Sequence, residues 1–77
     1  MIEDMSLEVK IWLAVDKEIP PLLLTVLAED ENSRVRLAVA RNPNAPPEAL
    51  RKLAEDKDLF IREAVAKKPN TPPDVLK

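Results

Sequence analysis

Apolar residues fall at helical spacing and then break off, three times along the chain. Val9-Trp12-Leu13, Val35-Ala38-Val39 and Ile61-Ala64-Val65 each sit at i, i+3 and i+4, which puts each trio on one face of an α-helix. Ser6, Asn32 and Asp58 stand just ahead of these trios. Their side-chain oxygens suit them to accept from the orphan N–H groups of a first helical turn. Pro43 and Pro69 predict where two of these helices stop, because the residue before a proline is pushed out of the α region. A second kind of helix is predicted to open on Pro20-Pro21, Pro46-Pro47 and Pro72-Pro73, where a missing N–H is harmless. Its inward residues are Leu24-Leu27-Ala28 and Leu50-Leu53-Ala54. In the third copy Thr71 caps the start, with Asp74 at the third position. Nothing alternates with a period of two, so no sheet is expected.

These elements are copies of one another. A shift of 26 residues lays Pro20-Pro21 on Pro46-Pro47 and Pro72-Pro73, and Leu27-Ala28-Glu29-Asp30 on Leu53-Ala54-Glu55-Asp56. Ala14, Ala40 and Ala66 coincide, as do Val9, Val35 and Ile61. Met1 to Asp4 reads as a worn copy of Leu-Ala-Glu-Asp. One helix pair cannot bury its own apolar face, whereas stacked pairs can. The expectation is therefore a single all-α helical-repeat domain over residues 1–77. Residues 1–5 form a partial leading unit, 6–31 the first repeat, 32–57 the second and 58–77 a truncated third. The alanine at 14, 40 and 66 fits close helix–helix approach, where a larger side chain would overpack.

The second unit, Val35 to Asp56, closely resembles the leucine-rich repeat variant family. The residues that carry this are Val35-Arg36, Val39-Ala40, Asn42-Pro43, Pro46-Pro47-Glu48, Leu50 and Leu53-Ala54-Glu55-Asp56. Ile61 to Leu76 is a shorter second match. The resemblance implies an all-helical, right-handed solenoid in which one helix of each pair can be 3₁₀. It implies no enzymatic activity. Some members carry a Cys-ligated iron–sulfur segment ahead of the repeats, but this chain has no cysteine to carry that over. The first unit departs from the pattern, with Asp16-Lys17 for Asn-Pro and Leu22 for Glu.

Composition narrows the function. The 77 residues include no His, Cys, Gly or Tyr. That removes an imidazole base, a thiolate nucleophile, Cys-ligated metal and a Gly-rich phosphate loop. At 45% apolar and 34% charged, the chain is too apolar for disorder. Its longest apolar stretch, Ile19 to Ala28, is broken by Pro20, Pro21 and Thr25 and is half the length of a membrane span. The acidic start shows no signal peptide, so a cytoplasmic location is the expectation. Ser6 and Thr71 are explained as caps, and no catalytic, cofactor or metal site is expected. Glu29-Asp30, Glu55-Asp56 and Asp58 could suggest a hard-cation site. The recurrence of Asp4/Lys10, Asp30/Arg36 and Asp56/Arg62 at a separation of six instead predicts a structural charge ladder.

Two surfaces invite a partner. Residues 1–31 hold eight acids and two bases, whereas residues 32–77 hold ten bases and six acids. In the basic part Arg34, Arg41, Arg51, Lys52, Lys67 and Lys68 could neutralise phosphates on one face of a solenoid. Acids are interleaved with them, and Phe60, the nearby aromatic, is expected to serve helix packing. The first unit is unusual in a different way. Trp12, Val15, Ile19, Leu22, Leu23 and Val26 stand where later units carry small or polar residues: Ala38, Arg41, Ala45, Glu48, Ala49 and Lys52. An end unit of a solenoid should be polar outside. This one is apolar, which predicts a protein-binding face, most simply one that pairs with itself in a two-fold dimer. A head-to-tail stack would also match acidic to basic ends, but it would not close.

Overall fold

The computed structural model describes residues 5–68. They form five helices, α1 (Leu7–Val15), α2 (Pro21–Leu27), α3 (Ser33–Arg41), α4 (Pro47–Ala54) and α5 (Leu59–Ala66), and no strand is found among them. The expected helix opening at Thr71-Pro72-Pro73, the stop at Pro69 and the Asp4 end of the ladder lie outside the described residues. All five helices are α rather than 3₁₀. At seven to nine residues each, they exceed the few residues over which 3₁₀ geometry competes.

Local chemistry sets the boundaries. Ser6 Oγ accepts from the Val9 N–H at 3.3 Å, Asn32 Oδ1 from Arg34 at 2.8 Å and Asp58 Oδ1 from Phe60 at 2.9 Å, so all three expected caps are made. α2 and α4 open on Pro21 and Pro47 without a side-chain cap. α3 stops at Arg41 because Asn42, extended at ψ 126°, precedes Pro43. α1 stops at the equivalent place without a proline. There Asp16 Oδ1 accepts from the Glu18 N–H at 2.9 Å, closing the turn that Asn42 Oδ1 closes with the Asn44 N–H at 2.8 Å.

The helices lie in two rows. α1 packs on α3 and α3 on α5, while α2 packs on α4, and the second row covers the first. Leu24, Leu27, Val35, Val39, Leu50, Leu53, Ile61 and Val65 form the core. Each buried leucine contributes roughly 1.5–3 kcal/mol. Ala14 and Ala40 are fully buried as α1 and α3 meet the next helix of the row, as their small size predicts.

The charge ladder exists, with partners other than those expected. At a separation of six the acceptor is a backbone carbonyl. Arg36 Nη1 donates to the Asp30 carbonyl at 2.7 Å, and Arg62 Nη1 to the Asp56 carbonyl at 2.7 Å. The carboxylates pair across 20 residues instead, Lys10 Nζ to Asp30 Oδ1 at 2.9 Å and Arg36 Nε to Asp56 Oδ2 at 2.7 Å. Each base thus spans its own unit, from the first helix to the turn after the second. The guanidinium fork has donors left for the turn of the preceding unit; a lysine ammonium is a single point charge. The second oxygen of Asp30 accepts from the Asn32 N–H at 3.0 Å, and Asp56 Oδ1 accepts from the Asp58 N–H at 2.9 Å.

This has a consequence for pH. Burial alone would raise the Asp30 carboxyl, but hydrogen bonds from Lys10 and the Asn32 N–H, with the charges of Lys10 and Arg36, hold it below the usual aspartate value. Asp56 follows the same balance: burial raises it, while Arg36, the Asp58 N–H and the charges of Arg36 and Lys57 lower it further. A carboxyl depressed in the folded state stabilises the fold fully above its unfolded pKa. That contribution is lost as pH falls through the folded value. Thermal melts should therefore be level above about pH 5 and fall steadily below about pH 4. An Asp30→Asn/Asp56→Asn variant should melt lower at pH 7 and depend less on acid. Equal acid sensitivity in both proteins would mean the carboxylates are not linked to folding.

Candidate interaction surface

Because the first-row helices repeat, residues 26 apart occupy the same place on successive helices. Positions 8, 11, 12 and 15 fall on one side of α1 at i, i+3, i+4 and i+7. Their counterparts are 34, 37, 38 and 41 on α3 and 60, 63, 64 and 67 on α5. Glu8, Arg34 and Phe60 are all exposed, as are Val15, Arg41 and Lys67, whereas Ala38 is buried and Ile11, Leu37 and Ala64 pack against the core.

Four of the six apolar residues singled out in the first unit are exposed. Trp12 is 70% accessible and Leu22 76%, and Val15 and Val26 are also open. They belong to two rows, Trp12 and Val15 on α1 and Leu22 and Val26 on α2. Leu23 is half-buried against the core. Ile19 is not part of this surface: it is 4% accessible. It sits in the α1–α2 turn, which folds inward, and Ala45 at the same place in the second unit is buried too. A larger residue at that position fills the core rather than the surface.

Phe60 also differs from its expected packing role. It is 71% accessible, beside an exposed Leu59. The signal was in the repeat, since Glu8 and Arg34 at the same position are polar. Phe60 forms an open groove of about 300 Å³ with Arg41, Glu63, Ala64 and Lys67. Ala64 leaves room where Trp12 stands on α1.

The six candidate phosphate-binding residues do not make one stripe. Arg34, Arg41 and Lys67 are exposed on the first row, while Arg51 and Lys52 are exposed on α4 in the second. Lys52 pairs with the Glu29 carboxylate. Lys68 turns inward, where burial lowers its pKa, and its ammonium donates to the Asn42 carbonyl at 2.6 Å.

That contact belongs to a polar ladder that sequence reasoning missed. Buried Asn42 donates through Nδ2 to the carbonyls of Ala14 at 2.7 Å and Asp16 at 2.9 Å. Positions 16, 42 and 68 are one repeat position, so each unit donates to the one before it. Asn44 Nδ2 adds a bond to the Lys17 carbonyl. Among the described residues, no buried side-chain polar atom lacks a partner.

Among the described residues no helix is long and apolar enough to cross a membrane. Two rows of stacked helices, keyed together by polar ladders at a fixed repeat position, define a helical-repeat protein. Residues 34–58 match the family model for the leucine rich repeat variant, so the family resemblance read from Val35 to Asp56 holds for the second unit. No curated protein and no solved structure matches the chain.

Proposed function

We propose that the chain is a non-catalytic protein–protein interaction or scaffold module. In this reading it is a right-handed solenoid of about three 26-residue units that pairs with a second copy of itself through the apolar outer residues of the first unit. The observation that carries it is the exposure of Trp12, Val15, Leu22 and Val26 at positions where the later units are small or charged. Trp12 alone offers roughly 150–250 Å², and the four together approach or exceed the roughly 300–600 Å² apolar patch usual for a monomer. Burying each aliphatic side chain is worth roughly 1.5–3 kcal/mol. The surrounding acids repel only across about 8–10 Å at ordinary salt, so burial outweighs them.

The test restores the residues of the other units. A Val15→Arg/Leu22→Glu variant installs the residue types of Arg41 and Glu48. It should keep the helical circular dichroism of the parent and remain monomeric where the parent associates. Undiminished association of this variant would remove the first unit as the interface. Phosphate binding by the second and third units is the other reading. It would weaken steeply between about 50 and 200 mM salt, whereas apolar pairing would not.

A further inference from the structure

We infer that the pairing surface of the first unit is the open end of the stack, and that two copies meet there end to end, first unit on first unit. This rests on the self-association proposed above and names the side of the unit that makes it. Equivalent positions in successive units show which side a neighbour covers. Val9 is 37% accessible, whereas Val35 and Ile61 at its place are fully buried. Trp12 is exposed, whereas Ala38 is buried and Ala64 packs against the core. Leu23 is half-buried, whereas Ala49 is fully buried. These are the positions that a preceding unit covers. The opposite side shows the reverse order. Ala14 and Ala40 are buried and Ala66 is exposed, just as Lys10 and Arg36 are buried and Arg62 is exposed. Val9, Trp12 and Leu23 therefore mark the end of the stack rather than its flank. Val15 and Val26 follow Trp12 and Leu23 by three residues, the next turn of the same side. Leu22 lies about 100° round α2 from Leu23, outside the joint.

Size decides what can meet this end. Inside the stack each seam has alanine on both sides. Ala14 and Ala38 are buried where α1 meets α3, and Ala40 is buried and Ala64 part-buried where α3 meets α5. A second copy laid on the first unit in the same sense would bring its exposed Ala66 to a seam that holds Trp12. An indole in a seam spaced for alanine overpacks it. Trp12 thus blocks the head-to-tail stack, and the surface that suits it is another apolar end like its own. Two such ends related by a two-fold axis cover Trp12, Val15 and Val26 of each copy and leave no free end of that kind, so growth stops at two chains. The two faces together come to about the 1,000 Å² at which a specific interface begins. With so little to spare, Trp12, the largest contributor, is decisive. Charge sets the sign of the salt response. Residues 1–31 hold eight acids and two bases, and Glu8 is exposed one turn from Trp12. An end-to-end joint therefore brings like charges together at its rim, and salt, by screening them, tightens the dimer. A head-to-tail joint would set the acidic end on the basic end and loosen with salt.

Sedimentation equilibrium of the full chain and two variants tests this. Trp12→Ala gives the first unit the residue of the other two and should weaken pairing at least about 100-fold. Leu22→Glu also restores a repeat residue, but outside the joint, and should leave pairing within about threefold of the parent. Both positions are exposed, so the fold should survive, as circular dichroism will check. The parent dimer should tighten at least about threefold between about 0.01 and 0.1 M salt, as the screening length falls from about 30 to 10 Å. If Leu22→Glu weakens pairing as much as Trp12→Ala, or Trp12→Ala pairs as the parent does, the end is not the joint, although self-association through the first unit stands. A parent dimer that loosens with salt, or a mass that grows past two chains, contradicts the end-to-end arrangement. A parent that remains monomeric at every concentration removes both proposals.

Discussion

Arg36→Met is expected to lower stability by about 2–3 kcal/mol, because it leaves the part-buried Asp56 carboxylate without its charged partner, with the Asp58 N–H still donating to it. Arg36 and Asp56 lie deep in the turn, with side chains 10% and 7% accessible. The substitution also takes the donor from the Asp30 carbonyl. Domains of this size are stable by roughly 0.05–0.15 kcal/mol per residue. Much of the margin would go, and the melting temperature should fall by about 4–8 °C per kcal/mol. Removing the stranded charge as well, in Arg36→Met/Asp56→Leu, should recover most of the loss, since a buried pair replaced by apolar residues is often neutral. Thermal melts of the three proteins check this. A single variant that melts with the parent, or a double variant no better than the single, would show that the pair does not hold the turn.

Asn42→Ala should cost about 2–3 kcal/mol, since it strips donors from the Ala14 and Asp16 carbonyls and leaves buried acceptors unsatisfied. It also opens the turn closed by the Asn44 N–H. With a urea dependence near 1 kcal/mol per molar for so small a chain, the midpoint should fall by about 2–3 M. Asn44→Ala, at an exposed site, should move it by less than half as much. Equal shifts would mean that the buried amide is no keystone between the first and second units.

Local signals read well from sequence. The caps at Ser6, Asn32 and Asp58 act on the N–H groups two or three residues ahead, so nothing distant is needed to predict them. Core leucines follow from helical spacing for the same reason. Contacts set by stacking were harder to see. The carboxylate partners of Lys10 and Arg36 lie 20 residues away, because each base crosses its unit; at a separation of six, Arg36 and Arg62 find a carbonyl instead. Size also misled. Ile19 is large where its counterparts are small, but the turn carries it inward. Phe60 is aromatic but occupies an outward position marked by Glu8 and Arg34. Asn42 was visible in Asn42-Pro43 as a helix stop; its buried amide became legible only once position 42 was seen to face the turn at 16.

The most direct test of the central claim is the molar mass of the parent chain in solution, by light scattering after gel filtration at low and high salt, with Trp12 emission recorded on the same peak. The account predicts a particle of twice 8.7 kDa that survives high salt. Its Trp12 emission should be blue-shifted relative to the Val15→Arg/Leu22→Glu monomer, because a side chain 70% open in the single chain is covered in the pair. A particle of 8.7 kDa at every concentration, with Trp12 emitting as in water, would contradict it.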